Sequence, residues 1–111
     1  MQPNTAVHAA ALALTHEPVP ADQSVAGDPS TAASTLTQFG GLEIGVWEMS
    51  VGTMTDVEAD EMFVVLSGAA TVEFADGTAP LHLRAGDIGR LAAGAQTTWT
   101  VTDTLRKIYL T

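Results

Sequence analysis

The sequence predicts an all-β fold, a sandwich or a closed barrel, on three observations. From Leu42 onward, short runs of β-branched and apolar residues are broken by glycine about every ten positions, the rhythm of strands and turns in antiparallel sheets. Asp76-Gly77 separates Val72-Glu73-Phe74 from Leu81-His82-Leu83; such a pair makes a tight hairpin because glycine takes a positive φ freely and aspartate tolerates one. At 111 residues, the chain can bury one hydrophobic core and is too short for two ordinary domains.

Residues 1–36 have a different texture. They are rich in Ala, Thr, Ser, Pro and Asp, with Pro3, Pro18, Pro20 and Pro29, and hold no sustained helical or strand period. They read as an N-terminal arm, leaving 37–111 as the barrel. Val19 and Val25 are placed to seat short extended pieces on a sheet edge, the alternative being a free tail. In the barrel, strands are expected at Leu42–Met49, Glu61–Leu66, Ala70–Phe74, Leu81–Arg84, Ile88–Leu91, Thr97–Thr102 and Leu105–Leu110. Ser67-Gly68, Ala85-Gly86-Asp87 and Ala93-Gly94 supply the corners.

Composition removes several function classes. Thirteen acidic residues against four basic ones give a formal charge of −9, which repels phosphate backbones and anionic lipid, so neither nucleic acid nor a membrane surface is an expected partner. With no cysteine there is no disulfide framework, thiolate nucleophile or zinc–cysteine site, and a reducing compartment suits the chain. The run Ala9-Ala10-Ala11-Leu12-Ala13-Leu14 lacks the positive flank of a secretory signal, since Arg84 is the first Lys or Arg. No apolar run approaches a spanning helix. The expectation is a soluble, cytoplasmic protein. Nucleophile-elbow and phosphate-loop motifs are absent.

Gly45-Val46-Trp47-Glu48 with Gly52, then Glu61-Met62-Phe63-Val64-Val65-Leu66-Ser67-Gly68, then Gly86-Asp87 and Gly94, and finally Trp99 with Arg106-Lys107-x-Tyr109, together resemble the small cupins grouped with ethanolamine-utilisation proteins and (S)-ureidoglycine aminohydrolases. The resemblance covers roughly Val25 to Thr111. It implies a double-stranded β-helix, the RmlC-like jelly-roll barrel, with the arm outside it. Metal-dependent cupins carry two His and a Glu in a first motif and a third His in a second. Here Glu61 and Gly68 keep the Glu-to-Gly spacing, but Met54-Thr55-Asp56-Val57-Glu58-Ala59-Asp60 precedes Glu61 without a histidine. Gly86 and Gly94 fit the second motif, Ala92 replaces its proline, and Thr97 stands at the third His. One carboxylate and a hydroxyl do not replace three imidazoles, so no metal and no cofactor is expected. His8 and His16 fall in the arm and His82 on the face opposite Leu81 and Leu83; all three read as solvated or locally hydrogen-bonded rather than as ligands.

Strand alternation puts Glu61, Phe63 and Val65 on one face, which the motif position of Glu61 makes the interior. By the same alternation Thr97, Trp99 and Val101 share a face, Lys107 and Tyr109 share another, and Trp47 pairs with Met49. A pocket lined by Trp47, Glu61, Phe63, Thr97 and Trp99, with Lys107 and Tyr109 near it, suits a small ligand, although inward Trp and Phe more often fill a core. Glu61 is costly to bury alone, so it either reaches a cavity or pairs with Lys107, Tyr109 or Thr97. Asp56, Glu58, Asp60 and Glu61 crowd the expected mouth; the plain reading is a solvated loop, the sharper one a negative funnel for a cationic ligand.

Three functions compete. The first is a metal-free, small-molecule-binding or accessory cupin, with a small polar or cationic metabolite as partner. The second is an isomerase, lyase or aminohydrolase in which Glu61 is general acid or base, with Lys107 or Tyr109 assisting. The third is a solid structural or interaction barrel. Uncovered sheet edges and an apolar outer face lead to the further expectation of a homodimer.

Overall fold

The computed structural model describes Met1 to Thr111. Nine strands form: β1 Glu17–Pro18, β2 Ser24–Ala26, β3 Ser30–Phe39, β4 Leu42–Met49, β5 Gly52–Val57, β6 Glu61–Phe74, β7 Leu81–Arg84, β8 Ile88–Leu91 and β9 Gln96–Leu110. The only helical element is a single 3₁₀ turn at Ala9–Ala11, and no helix is long and apolar enough to cross a membrane.

The two long strands organise the rest. The C-terminal half of β9 lies between β4 and the first half of β6, while its N-terminal half lies between β5 and the second half of β6. β8 pairs with the first half of β6 and β7 with the second. Both long strands therefore pass from one antiparallel sheet into the other, which curls the whole into a cupin jelly roll. Each was expected as two strands with a corner between them. The corner is instead a bend within a continuous strand, marked by register shifts between Val65 and Ala70. Gly68 makes it, at a φ of 88°, where a Cβ would run into the backbone of Asp103 and Thr104 on β9.

The arm boundary also moves. Ser30–Leu36, within the segment read as arm, belong to β3, which pairs along its length with β4. Small hydroxylated residues gave no alternation to read there; pairing with β4 fixes the strand. β5, unpredicted for the same reason, runs antiparallel to β9. The remaining arm lies on its own barrel, β1 against β3 and β2 against β5. Val19 enters the core, whereas Val25 stays exposed on the edge. The core holds Met49, Met54, Phe63, Val65, Val72, Leu91, Trp99, Val101 and Leu105 between the sheets.

Candidate functional site

Cross-strand register brings the inward residues into rows. Trp47, Lys107 and Val65 form one, Gly45, Tyr109 and Phe63 the next, and Met54, Trp99 and Val72 a third in the other sheet. Lys107 is long enough to reach past Phe63 to the start of β6. Its Nζ donates to Glu61 Oε2 at 2.7 Å and lies 4.7 Å from the Trp47 ring centroid and 4.8 Å from those of Phe63 and Trp99. The rings are tilted against one another, Trp47 to Trp99 at 5.7 Å and Phe63 to Trp99 at 6.2 Å. Gly89 leaves room for this arrangement, since a Cβ there would meet the Phe63 ring.

A second carboxylate completes the interior. Glu58 Oε1 accepts from Thr97 Oγ1 at 2.8 Å and from Trp99 Nε1 at 3.0 Å, which fixes the orientation of one indole of the cage. In the sequence Glu58 falls within the acidic run from Asp56 to Glu61, which reads as a solvated loop or a negative funnel. The usable signal was Trp99, because a buried indole N–H needs an acceptor. Asp56 is the third carboxylate. One oxygen accepts the Val57 amide at 2.8 Å, while burial, the nearby Glu58 charge and that of Glu61 push its pKa above 3.8, against the opposing pull of the Val57 amide and Lys107.

Trp47, Met54, Asp56, Glu58, Glu61, Trp99 and Lys107 enclose a chamber of about 70 Å³. Asp56 also lines a wider groove of about 470 Å³ on the rim, with Gln23, Thr55, Glu73, Gln96, Thr97 and Thr98 among its walls. Of the residues the sequence singled out, Trp47, Glu61, Phe63, Trp99 and Lys107 meet at one point, and Thr97 contacts the site through Glu58. Tyr109 shares the inward face but is not part of the chamber wall. Its hydroxyl donates to Glu43 Oε2 at 2.9 Å, and burial, with the Glu43 and Glu61 charges, raises its pKa.

The donor set does not fit a transition metal. No imidazole lines the chamber, Glu61 is engaged by an ammonium, Thr97 donates to Glu58, and no three His, Cys, Asp or Glu are disposed to hold an ion. His82 lies on the outer face, 3.3 Å from Thr71 Oγ1. His16 is tied into the arm contact: Nε2 donates to Glu48 Oε2 at 2.6 Å and Nδ1 meets Ser30 Oγ at 2.8 Å. Arg106 grips the other Glu48 oxygen at 3.0 Å and donates to the Ala9 carbonyl at 2.8 Å.

A jelly roll closed around an aromatic cage and half-buried carboxylates defines a cupin without the imidazole ligand set. The EutQ-like cupin domain matches residues 36–109, and the chain belongs to that family. No functionally curated protein matches it. Among solved structures it is similar to a putative ethanolamine utilization protein Q from Salmonella typhimurium, with a TM-score of 0.62 and 16% identity over 73% of this chain and 68% of that one. The EutQ protein of Clostridium difficile gives a TM-score of 0.62 and 20% identity over 74% and 61%. A protein of unknown function from Pseudomonas syringae gives 0.76 and 24% over 91% and 45%. The chain thus spans about half to two thirds of the length of these proteins, and at such identities the likeness is one of fold.

Proposed function

We propose that this chain is a metal-free, small-molecule-binding cupin whose barrel takes the cationic end of a small polar metabolite. The chamber carries this reading: Asp56, Glu58 and Glu61 face it between Trp47 and Trp99, with Lys107 as the single cation among them. Such a cavity is net negative and walled by π faces, a setting that favours an organic ammonium. Its size limits what enters. A water molecule takes about 30 Å³ of liquid volume, so about 70 Å³ holds an ammonium group with a carbon or two. The rest of a larger ligand would lie beyond Asp56, in the rim groove.

For the acid–base reading, Asp56 stands beside Glu61 as the stronger candidate. One Glu61 oxygen is held by Lys107, whereas Asp56 keeps an oxygen free of protein partners and has a raised pKa, the combination expected of a group poised to exchange a proton.

Calorimetric titration with methylammonium and ethylammonium, against methanol and ethanol at low and high salt, tests the binding reading. Amines should bind and alcohols should not, with affinity falling as salt rises. Asp56→Asn should weaken binding at least about tenfold, the loss of roughly 1.4 kcal/mol of charge-assisted hydrogen bonding. Equal binding of amines and alcohols contradicts the proposal.

A further inference from the structure

The chain has four Lys and Arg side chains, and only Lys107 lines the chamber. Its side chain is 5% exposed. Around its ammonium stand three ring faces at 4.7–4.8 Å and one carboxylate at 2.7 Å. Aromatic faces attract a weakly hydrated organic cation through their quadrupole, but they offer no lone pairs with which to coordinate a metal ion. The carboxylate that completes the cage is Glu61, which keeps the position of the metal-binding glutamate in the cupin motif.

We propose that Lys107 is the resident cation of this barrel, a tethered alkylammonium that stands against Glu61 in place of a metal ion, and that the cage is selective for such a cation over divalent ions. A counter-charge suits the half-buried Glu61, whose side chain is only 16% exposed and whose carboxylate is unfavourable there when left unpaired. The inference does not depend on the free amine proposed as ligand. That amine sits beside Lys107 at Asp56 and Glu58, whereas the present claim concerns the position Lys107 itself fills.

The test removes the tether. Lys107→Ala deletes the atoms of a propylammonium ion and leaves the rings and Glu61 in place. Its thermal midpoint should fall below that of the wild type, then rise with added propylammonium chloride. Propanol, which has the shape without the charge, should give no such rise, nor should Mg²⁺, Mn²⁺ or Zn²⁺, and the rise should exceed any that propylammonium gives the wild type by binding beside Lys107. Rescue by propanol equal to that by the amine, greater rescue by a divalent ion, or no rescue at all overturns the proposal. Should Lys107→Ala not fold, Glu61→Gln/Lys107→Met removes both charges together. That double variant should fold and be more stable than Lys107→Met alone; a double variant no more stable than the single one also overturns it.

Discussion

Asp56 is the chamber residue whose ionisation the fold opposes. Burial first, then the Glu58 charge, raise its pKa above 3.8. Below 3.8 the carboxyl is protonated both folded and unfolded and contributes no difference. As pH rises past that value the unfolded chain ionises first, and the folded state loses stability until the folded group ionises too. Asp56→Asn removes this cost. The variant should therefore be more stable than the wild type in denaturant titrations at neutral pH, with the difference vanishing below 3.8, while its amine binding is impaired. A wild type as stable as the variant at neutral pH contradicts this reading. The individual roles were unevenly legible. Alternation grouped Glu61 with Phe63, Thr97 with Trp99, Lys107 with Tyr109 and Trp47 with Met49 because strand geometry has a strict period, and the motif position of Glu61 marked its face as the interior. Glu58 lies in a loop without one, and His16 acts on a residue 32 positions away, so neither role could be read locally.

The bent strands and the arm show which larger features sequence can carry. β4, β7 and β8 were read with their observed bounds from apolar runs between turn residues. β3 was hidden because in Ser-Thr-Ala-Ala-Ser-Thr only the threonines favour a strand and no apolar face is present. The arm is held by a clip whose parts come from β4, β9 and the arm itself: Glu48, Arg106 and His16. Burial raises the Glu48 pKa, but hydrogen bonds from His16 and Arg106, with the Arg106 charge, outweigh it and hold the group below 4.5. A lowered folded pKa gives stability that is complete above 4.5 and is lost as pH falls through the folded value. Amide exchange in residues 1–29, taken relative to the intrinsic exchange rate at each pH, should therefore accelerate only in acid. In Arg106→Met it should be fast already at neutral pH, because Glu48 loses one of its two side-chain partners and the Ala9 carbonyl loses its donor. Slow exchange there in Arg106→Met would mean that the clip does not hold the arm.

At the scale of the whole molecule, an apolar strip crosses the outer face of β4, β9, β6 and β8. Ile44, Leu110 and Met62 form one outward row with Arg90, and Val46, Ile108, Val64 and Ile88 form the next. Val46 is buried, but Met62 and Ile88 remain 48% and 69% exposed. On a chain of charge −9, this strip beside Arg90 is a place where a second copy can approach without strong repulsion, and we propose that the protein dimerises through it. Sedimentation at micromolar concentration should show a dimer that Met62→Asp/Ile88→Asp dissociates; a compact wild-type monomer contradicts this.

The resemblance to small cupins was carried by glycine and motif spacing, which strand corners dictate. The missing imidazoles were equally visible, and Lys107 was one of three partners offered for Glu61; the choice among them depends on the register of β9 against β6. The central claim is that an ammonium, not a metal, faces Glu61. Elemental analysis of purified, dialysed protein, paired with an anomalous difference map at Glu61, tests it most directly. The account predicts no stoichiometric Mn, Fe, Ni or Zn and no anomalous peak; a full equivalent of any of them, bound at Glu61 with Lys107 displaced, would contradict it.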